Sequence, residues 1–255
     1  MLPVILTAVG VGGATAFGAI IGFSFKKLSH KFSDIVLAFA AGVMLSAAVL
    51  GLIVPAAERG IRDFGTPLGI LTVVLGIFAG AILLNLIDRF VPHLHTANGT
   101  DAEPHHNQNI NKILLFVLAI AIHNFPEGIA AGVAFGADDP TGALLIAGGI
   151  ALQNIPEGMV IISPMLAAGV KPKKTLLLAM ATGFVEVIGT FIGYFAVSLA
   201  SALLPFALAF AGGTMLYIIS DEMIPETHAH GHERGATYAL LVGFTLMFVC
   251  DLLLG

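Results

Sequence analysis

The sequence predicts an all-α, polytopic membrane protein of eight transmembrane helices. Hydrophobic residues fill 57% of its 255 positions and charged residues only 11%, against roughly 25% charged in a soluble domain. The apolar residues also come in long uncharged runs, such as Thr66 to Leu86, and Leu176 to Val185 with its extension to Leu204. A hydrocarbon core needs about 20 apolar residues per helix, so runs of this kind can cross it.

Breaks at charged and turn-forming clusters place the elements in order. Helix 1, near 3–25, begins directly at Leu2 with no basic segment ahead of it, so it reads as a retained span rather than a cleaved signal. Its glycines, Gly10, Gly12, Gly13, Gly18 and Gly22, read mostly as sites of close helix contact. Helix 2 lies near 34–57, after Lys26, Lys27 and Lys31 and before Glu58 and Arg59. Helix 3, near 66–88, ends at Arg89. The stretch 90–111 carries His93, His95, His105 and His106 among Asn, Thr, Gly and Pro, a composition that buries no core, and reads as a flexible histidine-bearing loop. Helix 4 follows near 112–136, helix 5 near 141–169, helix 6 near 173–200, helix 7 near 203–226 and helix 8 near 236–254. All of 1–255 is expected to form one transmembrane domain.

The loops after helices 1, 3, 5 and 7 hold Lys26, Lys27, Lys31, Arg89, Lys112, Lys171, Lys173, Lys174 and Arg234, while the opposite side holds Arg59 and Arg62 alone. The positive-inside bias therefore puts both termini outside the cytosol and the histidine loop within it. The single cysteine, Cys250, allows no intrachain disulfide and no thiolate cluster. The lipid bilayer is an expected partner; nucleic acid is not.

Helix 4 contains His123-Asn124-Phe125-Pro126-Glu127-Gly128. Thirty positions later helix 5 repeats the pattern as Gln153-Asn154-Ile155-Pro156-Glu157-Gly158. A charge at the centre of a membrane helix costs roughly 2.5–3.5 kcal/mol on insertion scales, and Glu127, Glu157 and Glu186 bring three. Positions i and i+4 share a helix face, which sets His123 above Glu127 and Gln153 above Glu157. Each proline removes an N–H and frees the carbonyl four residues earlier, at Ile122 and Leu152. His123, Asn124, Glu127, Gln153, Asn154, Glu157 and Glu186 form a mixed nitrogen and oxygen donor set, suited to a borderline divalent cation. With no thiolate in it, binding is moderate, so an ion can leave again.

A second group closes helix 7: Asp221, Glu222, Glu226, His228, His230 and His232. On the charge count it faces the cytosol, where it is expected either to accept an outgoing ion or to be a polar turn. On the other side Glu58, Asp63, Asp138 and Asp139 outweigh Arg59 and Arg62, which suits a cation entrance or ordinary solvated loops.

These motifs resemble the ZIP (Zrt- and Irt-like) divalent metal transporters, in particular the bacterial GufA-like branch, and the resemblance spans the chain. It implies transport of Zn2+, and of Fe2+, Mn2+ or Cd2+, into the cytoplasm across the plasma or inner membrane. It further implies a binuclear site between helices 4, 5 and 6, a 3+2+3 arrangement with inverted repeats, and a homodimer. Asn154 and Gln153 depart from relatives that carry an acid or a histidine there, which implies weaker or different metal binding at the second position. No enzymatic activity is expected. Two rivals remain: an intramembrane zinc metallohydrolase, which lacks its H-E-x-x-H pattern here, and a membrane metal sensor without flux.

Overall fold

The computed structural model describes residues 1–25, 29–90, 106–135, 139–167 and 169–254. Eight long helices account for them: α1 (Leu2–Ser24), α2 (His30–Phe64), α3 (Thr66–Phe90), α4 (His106–Ala134), α5 (Pro140–Ala167), α6 (Pro172–Leu199), α7 (Ser201–Thr227) and α8 (Glu233–Leu254). Among the described residues, seven are long and apolar enough to cross a bilayer, all but α4. At 29 residues, α4 also exceeds the about 20 that a span requires.

Helix ends depart from the charge-based expectation for a physical reason. Charged side chains stop a hydrophobic run, but they do not stop a helix that emerges into water. Accordingly α2 continues through Glu58, Arg59, Arg62 and Asp63, with Arg59 paired to Asp63 at 2.9 Å one turn on. It ends only at Gly65, whose φ of 78° suits a residue without a Cβ. Similarly, α4 is helical from His106, so the loop expected over 90–111 gives up its last residues to helix; 91–105, with His93, His95 and His105, lie outside the described residues. At the start of α2 the Ser29 hydroxyl accepts from the Phe32 N–H at 3.2 Å. At the start of α5, Asp139 accepts from the N–H groups of Thr141 and Gly142 at 3.1 and 3.0 Å. These local roles engage Asp63 and Asp139, two of the acids in the expected entrance.

Packing divides the helices into two bodies. In one, α1 lies against α5 and α6, and α4 lies against α6; in the other, α2 packs on α8 and α3 on α7. The pairings repeat with an offset of five helices: α1 on α5 matches α6 on α4, and α2 on α8 matches α7 on α3. Five is odd and successive spans alternate in direction, so the two halves are inverted copies, with α4 and α5 exchanging places. A local feature repeats as well. Both α2 and α7 loosen into a π-helical segment, Ala47–Ile53 and Ile219–Met223, immediately before Val54-Pro55 and Ile224-Pro225. A proline cannot donate to the turn behind it, and a wider turn accommodates the lost bond.

Glycines at the contacts set how closely the first body packs. A Cβ on Gly128 would strike the backbone of Glu186 on α6, and one on Gly158 would strike the backbone of Thr15 on α1. Gly12, Gly18 and Gly22 meet neighbouring helices in the same way, whereas Gly10 and Gly13 face nothing within 4 Å. The packing role expected of the α1 glycines therefore holds for three of the five. Large apolar side chains stay exposed along α3 (Leu71, Leu75, Phe78, Ile82) and α8 (Leu241, Val242, Leu246, Val249). That outer surface is what a lipid-facing helix presents.

Candidate metal site

The repeated motifs of α4 and α5 meet Glu186 of α6 in the interior. Glu127, Gln153, Asn154 and Glu186 are wholly buried and Asn124 nearly so, while His123 and Glu157 keep partial exposure. The helices run continuously through Pro126 and Pro156. Since α4 and α5 are consecutive spans and run in opposite directions, Glu127 comes level with Gln153, and His123 with Glu157. Glu127 lies close enough to Glu157 and Glu186 for the three carboxylates to repel one another, with Gln153 beside it.

Glu186 is the most completely held of the three. One oxygen accepts from the Asn154 amide at 2.6 Å and the other from the Thr15 hydroxyl at 3.3 Å. The same Asn154 N–H2 also donates to the Val11 carbonyl at 3.2 Å. Both partners of that nitrogen are acceptors, which fixes which way the amide points. Further along α6, the Thr190 hydroxyl donates to the Glu186 carbonyl at 2.9 Å.

Around this anchored carboxylate, polar atoms are buried without a well-formed hydrogen bond among the described residues: both side-chain oxygens of Glu127, both amide atoms of Asn124 and of Gln153, and Oδ1 of Asn154, with Glu127 in only loose reach of Gln153 and Glu186. An unsatisfied buried polar atom costs about 1–3 kcal/mol, and buried polar atoms are ordinarily satisfied. So many in one place is the signature of a site for a polar guest. The donors are carboxylate and amide oxygens with one imidazole, which suits a divalent ion.

His123 has a partner that the sequence reading assigned elsewhere. Its Nε2 is 2.7 Å from Oε1 of Glu222 on α7, with the two side chains 16% and 18% exposed. Glu157 feels both His123 and Glu222. The buried tier of Glu127, Gln153, Asn154 and Glu186 is therefore continuous with a wetter tier of His123, Glu157 and Glu222. That second tier lies toward the end of α7, on the lysine-rich side. On the other side of the buried tier, Met44, Ile146, Ile150 and Met215 belong to a dry apolar cluster shared by α2, α5 and α7.

The six residues expected to act together at the end of α7 are not one cluster. Glu222 turns inward to His123. His228 ties down the turn after α7, its Nδ1 2.8 Å from the Ile224 carbonyl and its Nε2 3.3 Å from the Thr237 hydroxyl. His230 pairs with Asp34 of α2. Asp221 and Glu226 are exposed, and His232 is half-buried. Among the described residues, no three His, Cys, Asp or Glu side chains already stand in a cage around a common point.

The sequence reading missed Thr15, the Val11 carbonyl and the inward role of Glu222. The first two sit in a stretch of small residues that signals only packing. Glu222 was hidden because it lies four residues before the expected end of helix 7, where an acid reads as a boundary.

Comparison with known proteins identifies the family. The family model described as ZIP Zinc transporter matches residues 100–251. The chain is 42% identical to the zinc transporter GufA of Myxococcus xanthus over 246 residues, 96% of each chain. It is 36% identical to the zinc transporter ZIPB of Bordetella bronchiseptica, covering 95% of this chain and 78% of that one. It is also 33% identical to the zinc transporter ZupT of Chlorobium chlorochromatii over 252 residues, 95% of this chain and 94% of that one.

Proposed function

The chain belongs to the ZIP family of zinc transporters, and from that premise we propose that Glu127, Glu157, Glu186, His123, Asn124, Gln153 and Asn154 hold the ion on its way through. The protein is a multi-pass membrane transporter of divalent metal ions, zinc foremost, and not an enzyme. The hydrolase and sensor alternatives find no support in these relatives. Fe2+, Mn2+ and Cd2+ share zinc's fit to a mixed oxygen and imidazole shell and are further substrates on this reading.

The observation that carries the site is the group of unpartnered oxygens and amides around Glu127, enclosed between α4, α5 and α6. A cation supplies the partner those oxygens lack and offsets the mutual repulsion of the carboxylates. Glu127 and Glu157 share the ion, His123 and Gln153 complete one position, and Asn124, Asn154 and Glu186 serve a second. The second position is the weaker. Asn154 turns its N–H2 toward Glu186 and Val11, so an amide donor already satisfies the carboxylate that a second cation would need.

Release follows the gradient of exposure. His123 and Glu157 pass the ion to Glu222, and the lysine-rich side of the molecule receives it. That side is the cytosol by the positive-inside rule, which places both termini across the cell membrane from it. The apolar group of Met44, Ile146, Ile150 and Met215 closes the opposite path. The arrangement is then the inward-facing half of an alternating-access cycle, driven by displacement of the two helix bodies. The exposed apolar faces of α3 and α8 meet lipid and, in part, a second copy of the chain.

Uptake of radioactive zinc into proteoliposomes, with cadmium and manganese as competitors, tests the reading. Wild-type protein is expected to give saturable uptake and Glu157→Ala none. Uptake that survives the substitution removes Glu157 from the path; binding without uptake in the wild type overturns the transport cycle.

A further inference from the structure

Outside the central cluster, Asp34, His230 and His30 lie side by side where α2 begins and α7 joins α8. Asp34 is only 3% exposed, and its Oδ1 is 3.0 Å from Nδ1 of His230, which is 31% exposed. Its other oxygen, Oδ2, is buried with no hydrogen-bond partner among the described residues. His30, one turn earlier on the same face of α2, stacks its ring on that of His230, with centroids 4.6 Å apart and planes 26° from parallel. Neighbouring His228 contributes nothing to this group, because it is engaged with Ile224, Thr227 and Thr237.

A buried carboxylate with one oxygen unmet is costly to maintain for structure alone. A hydrogen bond from His230 accounts for Oδ1 and leaves Oδ2 unexplained. One carboxylate and two imidazoles, two of the three at i and i+4 on a helix, make a donor set for zinc and its first-row neighbours. We propose that His30, Asp34 and His230 form a second, peripheral site for a divalent transition-metal ion, distinct from the intramembrane cluster. The site closes on its ion: Asp34 is set by its burial, and the two exposed imidazoles rotate about their side-chain bonds to meet it. Any role as a receiving station after Glu222 rests on the reading above that this end faces the cytosol; binding does not.

The test is a Co2+ titration of purified full-length protein in detergent, in a Glu127→Ala/Glu157→Ala background that disables the central site. Visible absorption reports imidazole-coordinated cobalt, and equilibrium dialysis counts the ions. The expected result is an equivalent that weakens by at least about tenfold on His230→Ala, on His30→Ala and on Asp34→Asn, since loss of a ligand should cost no less than loss of an outer-shell partner. His30 and His230 are exposed, so their substitution leaves the fold intact, and an unchanged thermal melt verifies it. Binding and absorption unchanged in both histidine variants would overturn the proposal and leave the trio as an anchor between α2 and the α7–α8 turn. Zinc uptake by the wild-type protein is measured independently, so failure here and failure of the transport reading are told apart.

Discussion

His123 and Glu222 stand 2.7 Å apart on helices from different bodies. That makes the pair both a candidate ligand set and a contact that must break if the bodies move. Removal of either residue already abolishes the contact between them, so the two losses should not add. In zinc uptake, His123→Ala and Glu222→Ala are each expected to slow transport, and the double variant to be no slower than the worse single one. The coupling should be about 1–2 kcal/mol, roughly 5- to 30-fold in rate. Strict additivity would show that the two residues act separately. Glu186 differs in kind, because Thr15 and Asn154 already engage both its oxygens.

At the scale of the helix, the two Pro-Glu-Gly motifs combine chemistry with packing. The glutamate carries the charge, and the glycine one residue later brings the neighbouring backbone into contact. Gly128→Ala is expected to destabilise the protein by about 1–3 kcal/mol, as overpacking does, because Glu186's backbone cannot yield as a flexible side chain can. Gly13→Ala, on a face with nothing within 4 Å, should be neutral or stabilising by up to about 1 kcal/mol through lost backbone freedom in the unfolded chain. Thermal unfolding in detergent compares the two; equal melting temperatures would refute the contact argument. The π-helical segments of α2 and α7 belong to this scale too. Each precedes a proline in the body that faces the site, and the one in α7 contains Glu222.

For the whole molecule, the question is whether the two bodies slide past each other. A Cβ built on Gly149 of α5 would lie 3.7 Å from the Cβ of Ala47 on α2, within the span of Cβ atoms in a disulfide. In a Cys250→Ser background, Ala47→Cys/Gly149→Cys is expected to cross-link under mild oxidation. Uptake should then fall to the level of empty liposomes and return on reduction, with zinc binding retained throughout. Full uptake by the cross-linked protein would exclude relative motion along this interface. The same pairing of bodies explains why α1, remote in sequence from the motifs, supplies Thr15 and Val11 to the site: it packs against both α5 and α6.

Composition and spacing determined a good deal by themselves. Bilayer physics makes runs of about 20 apolar residues unmistakable, and the insertion cost of a mid-span carboxylate makes Glu127, Glu157 and Glu186 stand out without any structure. The repeated Asn-x-Pro-Glu-Gly then identified two helices as partners. Helix ends were less legible, since α2 and α4 continue past charges that only mark the edge of the lipid. Tertiary structure alone decided which neighbours each donor meets. Glu222 joins His123 because α7 crosses α4, and His230 reaches Asp34 because the α7–α8 turn lies over the start of α2. Those encounters depend on how helices distant in sequence are packed, and hydrophobic pattern carries little information about them, since the spanning stretches are apolar on most faces.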